Sequence, residues 1–239
     1  METWFAATST YSFNPFSPSH LLALAIAATG ILALVSTKNL LAKNRPLFQW
    51  LRWPLLAALF ISELSYHYWA ITNDVWNFSG QMPLHLCGMA SITAMIGLLT
   101  MRPLWIRLSF YIGILPAFLA LITPELPYDY QHFRFWKFFV HHTAISWACL
   151  FLALSRPDTI TIRSVFSVYT LLLVYAAIIG FFVNPLTDSN YLYLMQRPST
   201  TSPLDFFGNG IWYYINLCLT ALALFFVQCL LFRKFIKGS

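Results

Sequence analysis

Cys87 stands in the stretch QMPLHLCGMAS at 81–91, with Pro83 four residues before it, His85 two before it and a long apolar run behind. Proline suits the first helical position, because it lacks the amide hydrogen that a first turn leaves unpaired. The spacing therefore predicts a helix opening at Pro83 with Cys87 in its first turns. Free backbone amides and the helix dipole at that end favour a thiolate over a thiol. Cys87 is thus a candidate nucleophile for covalent catalysis. A lone cysteine in an apolar helix is more often a small buried side chain, so chemistry here depends on the polar residues that converge on it.

Those residues are Glu63, His67, His85, His141 and His142. Glu63 and His67 are four apart and share a helical face beside Tyr66, so carboxylate and imidazole can orient each other. His85 and Cys87 are about 200° apart around an ideal helix, and both face one cavity only if the first turn is irregular. Of the adjacent pair, His142 shares a face with Ser146 and Cys149 and is assigned to chemistry. His141 continues toward Arg134 and Lys137, near the level of lipid phosphates, and is assigned to packing or headgroup contact.

The elements that must position these side chains follow from composition. Hydrophobic residues make up 59% of the 239 and charged residues 9%, against a usual charged share of about 25% in soluble domains. The chain reads as an all-α, polytopic membrane bundle forming a single domain over 1–239. Residues 1–19, with Trp4, Phe5, Tyr11, Phe13 and Phe16, suit the headgroup region. Seven spans are expected, near 20–36 (capped by Ser19), 53–71, 83–101, 104–122, 133–154, 164–183 (ended by Asn184-Pro185) and 211–232. A long connection at 185–210 separates the last two.

Eleven of the fourteen Lys and Arg fall on one side of this arrangement: Lys38, Lys43, Arg45, Arg52, Arg102, Arg107, Arg156, Arg163, Arg233, Lys234 and Lys237. Positive charge stays cytoplasmic, so the N-terminus is expected outside and the C-terminus inside. Cys87 and the histidines then lie toward the outer side, where ionisable residues at membrane depth point to function. The opening residues lack the basic start of a secretory signal, so the first span is expected to remain. The chain has no nucleic-acid motif, no CxxC pair and no internal repeat of the kind that builds many transporters. No metal and no cofactor are expected.

MPLHLC at 82–87, the histidine at the head of the fifth span and NYLYLMQRPSTTSPLDFFGNGIWYYI at 190–215 together resemble the YwaF family of multi-span bacterial membrane proteins, which is related to a eukaryotic endoplasmic-reticulum lipid acyltransferase. The resemblance covers most of the chain. Asn190, Tyr191, Leu194, Pro198, Leu204, Asp205, Gly208 and Trp212 stand at the positions of the family pattern, whereas GNGIWYY replaces its usual Gly-Pro-Trp-Pro-Trp-Tyr run. The resemblance implies that Cys87 accepts an acyl chain, with His142 as its base.

The expectation is a phospholipid or lysophospholipid acyltransferase or transacylase of the outer leaflet, in a bacterial cell membrane. Cys87 and His142 are catalytic in this reading. His85, Glu63, His67, Asn190 and Asp205 line or support the cavity, while Arg197, with Arg134 or Lys137, holds the headgroup phosphate and His141 meets the headgroup. A zinc-dependent lipid hydrolase using Glu63, His67, His85 and His142 is one alternative, although no His-x3-His pair is present. A transporter or lipid-binding protein without catalysis is the other.

Overall fold

The computed structural model describes residues 4–198 and 203–238; residues 199–202 of the long connection lie outside them. Among the described residues the regular elements are all helices, apart from one isolated bridge between Ser12 and Tyr128. The long helices are α1 Pro18–Ser36, α2 Arg45–Thr72, α3 Leu86–Thr100, α4 Pro103–Ile122, α5 Phe133–Ser155, α6 Ile162–Ile178 and α7 Ile211–Lys237. Five are long and apolar enough to cross a membrane: α1, α4, α5, α6 with its extension to Thr187, and α7. The 28-residue α2 is more polar, and the 15 residues of α3 reach roughly 22 Å, short of the ~30 Å hydrocarbon core.

Local chemistry moves several expected boundaries. Ser17, not Ser19, caps α1, its side chain accepting from the His20 amide at 3.4 Å. Ser19 instead donates to Asp129 Oδ1 at 2.7 Å. The third helix begins at Leu86 rather than Pro83, because His85 keeps an extended backbone (φ −68°, ψ 161°). Nor does α6 stop at Asn184-Pro185: it widens into a π turn over Ile179–Val183 and then makes one more turn, Asn184–Thr187. The wider turn gives the pyrrolidine ring room that an α turn would deny it.

The bundle is built around α5. Of its most apolar stretch 72% is buried, against 17% for α1 and α7, so α5 is the axis and the others turn much of their surface outward. Exposed apolar side chains such as Leu22, Leu32, Phe181 and Leu186 suit a lipid surrounding. Close approach between α3, α4 and α5 depends on Gly113. A Cβ there would lie 2.5 Å from Cys149 Sγ on α5 and 3.3 Å from Ala90 Cβ on α3, and small residues of this kind let membrane helices meet.

The N-terminal stretch ties one end of the bundle together. Phe13 donates to Pro127 O, Asp129 to Tyr11 O and Phe133 to Trp4 O, at 3.2, 3.1 and 2.9 Å. Trp69 Nε1 reaches Ala6 O at 3.1 Å and Asn73 Nδ2 reaches Phe5 O at 3.1 Å. The C-terminal end of α2 and the N-terminal end of α5 are thereby fixed side by side, and that end carries the site.

Candidate functional site

Cys87 is the second residue of α3 and is partly buried. The His85 side chain caps nothing, and the first α-type bond at this end runs from Met89 N to His85 O at 3.0 Å. The amides of Leu86, Cys87 and Gly88 therefore precede the regular helix ladder, where donors are free for an anion. The turn before them is packed tightly, since a Cβ on Gly88 would lie 2.4 Å from Pro83 O. Tyr175 secures the same turn from α6, its hydroxyl donating to Leu84 O at 2.7 Å. With His85 extended rather than helical, the angular separation of an ideal helix no longer keeps it apart from Cys87.

His142 sits on α5 with Nδ1 2.8 Å from Phe138 O. A carbonyl only accepts, so a neutral ring carries its proton on Nδ1 and leaves Nε2 with a lone pair. The two helices can be put on one scale from the contact layer at Gly113, where Ala90 and Cys149 meet. Cys87 lies three residues above that layer and His142 seven, rises of about 4.5 and 10.5 Å. Thiol and imidazole thus belong to facing helices roughly one turn apart in height. No hydrogen bond joins them among the described residues. Ser146, on the His142 face, donates its hydroxyl to His142 O at 2.9 Å and not to the ring.

Glu63 organises a second cluster. Its Oε1 lies 3.6 Å from His67 Nε2, and its Oε2 lies 3.6 Å from both Lys137 Nζ and His141 Nε2. Trp76 Nε1 donates to His67 Nδ1 at 3.1 Å, which places the proton of a neutral His67 on Nε2, facing the carboxylate. His141 is buried, with Nδ1 2.6 Å from Ser62 Oγ. The sequence put His141 at the level of lipid phosphates; the structure puts it between Ser62 and Glu63. Lys137 also lies 4.3 Å over the Tyr66 ring. Arg134 rests on the Trp69 ring at 5.4 Å.

The connection after α6 folds over the start of α3. Tyr191 and Tyr193 hold the His85 ring between them, at centroid distances of 5.1 and 5.4 Å. Tyr191 is fixed by Asn184, which donates to Tyr191 O at 3.0 Å and accepts from Tyr191 N at 2.9 Å, and its hydroxyl donates to Phe78 O. The Tyr193 hydroxyl donates to Glu125 Oε2 at 2.8 Å. Burial holds the His85 imidazole below the usual histidine range, with the Glu125 charge pulling the other way. Asn190 closes its own loop, accepting from the amides of Met195 and Gln196 at 3.0 Å. Arg197 donates to Gly208 O and, at 2.6 Å, to Asn209 Oδ1. Asp205 is exposed on the short turn Pro203–Phe207.

The structure thus brings Glu63, His67 and His141 together, sets His85 beside the connection, and leaves His142 near its Phe138 partner. Among the described residues no group of three or more His, Cys, Asp or Glu is arranged so that it could hold a metal ion. Ser62 and Glu125 escaped the sequence reading, and Lys137 figured in it only as a headgroup contact. Lys137 and His141 repeat the four-residue spacing of Glu63 and His67, a signal that pairs the two helix faces; Ser62 and Glu125 carry no such mark.

Residues 15–229 match the model of the TMEM164 family. That is most of the chain, and the chain belongs to this membrane-protein family. No curated protein and no solved structure matches it.

Proposed function

We propose that this TMEM164-family chain is a lipid acyltransferase or transacylase that works through a thioester on Cys87. The observation that carries the reading is the position of Cys87: second in its helix, with three first-turn amides outside the helix ladder. His142 takes the thiol proton at Nε2, the nitrogen that its bond to Phe138 leaves unprotonated. The sulfur attacks the ester carbonyl carbon of a phospholipid, a C–S bond forms, and the oxyanion is met by first-turn amides. Collapse breaks the C–O bond, and His142 returns the proton to the leaving lysolipid oxygen. Attack by an acceptor hydroxyl then releases the acyl group by the same steps in reverse order.

The remaining residues support this chemistry. Glu63 and His67 keep Lys137 and His141 in place, while Arg134 and Arg197 stand on the side from which a headgroup would approach. The connection around Asn190 and Asp205 acts as a lid above His85. All seven helices cross the membrane, with the N-terminus outside, the C-terminus inside and the site facing the extracytoplasmic side of a cell membrane. Lys and Arg gather at the opposite end, which supports that orientation.

The test is direct. Purified protein incubated with a phosphatidylcholine carrying a labelled acyl chain should acquire a hydroxylamine-sensitive label on the peptide containing Cys87, and Cys87→Ser should acquire none. An unchanged label, or full lipid remodelling by Cys87→Ser, refutes covalent catalysis at this residue.

A further inference from the structure

The end of α7 carries cations that nothing in the described part of the chain neutralises. Arg233 and Lys237 are four residues apart and share a helical face. They line a groove of about 260 Å³ whose other wall is the turn 157–161 between α5 and α6. The groove floor is apolar and fixed: Ile160 is buried, and Phe232 packs on Phe110 with ring centroids 5.0 Å apart. On the far side of the same two cations lies an open recess of about 590 Å³, lined by Leu230 and Lys234.

The acid in the groove is already taken. Asp158 receives Arg156 through both oxygens, Nε to Oδ1 at 3.2 Å and Nη2 to Oδ2 at 3.3 Å. The neighbouring carbonyl of Thr159 accepts from Arg107 Nε at 3.0 Å. Among the described residues no carboxylate pairs with Arg233, Lys234 or Lys237. Lys38 brings a further charge, its Nζ 3.8 Å over the Phe235 ring. The carbonyls at the end of α7 favour cations nearby, yet that effect fades within the last turn and is screened by salt. Uncompensated guanidinium and ammonium groups around a groove are complementary to a phosphate. Along α7 from the same groove, Val227, Leu230 and Leu231 expose apolar side chains that would follow an acyl chain.

From this we infer that Arg233 and Lys237, set against the 157–161 turn, form a binding site for the phosphate headgroup of an anionic membrane lipid. The site lies at the end of the bundle opposite Cys87 and is independent of the proposed acyl transfer. A free phosphate ester shares the charge chemistry but gains nothing from the apolar track along α7, so the lipid is the occupant.

Native mass spectrometry of the purified chain with phosphatidylglycerol and phosphatidylcholine reads this site without any catalytic assay. The wild type should retain phosphatidylglycerol preferentially, and Arg233→Gln with Lys237→Gln should lower that retention on the order of twenty-fold, at roughly five-fold per cation near a membrane surface. Arg233→Lys with Lys237→Arg should restore it. Removing the same charge elsewhere at this end, by Arg102→Gln with Arg163→Gln, should leave it largely unchanged. Equal retention of the two lipids by the wild type overturns the proposal and needs no variant to fold. So does an equal loss in the Arg102/Arg163 control, which would reveal a diffuse basic surface. Glycerol 3-phosphate displacing the lipid at equal concentration would show a site for soluble anions and also overturn it.

Discussion

Glu63 offers one carboxylate to Lys137, His67 and His141, each at 3.6 Å. Removing one partner of a largely buried ion pair leaves an uncompensated charge, whereas removing both is often tolerated. Glu63→Gln should therefore destabilise the chain by about 3 kcal/mol, and adding Lys137→Met should recover much of it; denaturation in detergent of the two single variants and the double measures the coupling. A double variant no more stable than Glu63→Gln would show that Lys137 does not need this carboxylate. The two adjacent histidines should separate by the same logic. His142→Ala should abolish acyl transfer and keep the fold, while His141→Ala should cost about 1–2 kcal/mol of stability, because it leaves the buried Ser62 hydroxyl without its ring partner. Equal loss of activity with equal stability in the two variants would remove the assigned division of labour.

The connection between α6 and α7 is strained where it covers the site. Leu192 and Tyr193 have φ of 59° and 54°, a left-handed region that costs an L-residue about 1–2 kcal/mol. Such strain persists only where the surroundings enforce it. Here Tyr213 and Tyr214 donate to the carbonyls of Tyr193 and Leu194 at 3.0 and 2.8 Å, and Tyr193 holds Glu125. Tyr193→Phe keeps the ring on His85 and loses only the bond to Glu125. The element should then lift more often, so alkylation of Cys87 by a bulky water-soluble maleimide should speed up several-fold, with Cys149 and Cys229 unaffected because both are buried. An unchanged rate would mean that the connection does not govern access.

At the scale of the whole molecule, α2 and α3 decide the topology, since α2 falls short of the hydropathy and α3 of the length that the other five helices reach. Both are packed against α5 and need less lipid contact than a peripheral span. If they cross, reporters fused after Ser79 and after Arg102 will lie on opposite sides of the membrane, and a reporter at the C-terminal end will be cytoplasmic. Reporters at 79 and 102 on the same side would leave α3 as a re-entrant segment and move Cys87 relative to the two leaflets.

Hydropathy by itself determined that the chain is a helical membrane bundle, because the need to satisfy backbone groups in lipid leaves few alternatives to apolar helices. It also located α1, α4 and α5 to within about two residues, and the spacing of Glu63 and His67 foretold their shared face. The start of α3 was not legible: Pro83 suits a helical first turn equally well, and only packing of Gly88 on Pro83 and the Tyr175 bond to Leu84 fix the extended His85. The partners of Glu63 were hidden for a related reason. Lys137 and His141 lie 74 and 78 residues from it along the chain, and their union depends on how α2 turns against α5. Periodicity assigns a side chain to a face of its own helix; which faces meet is decided by close approach, as at Gly113, and only the tertiary structure contains that.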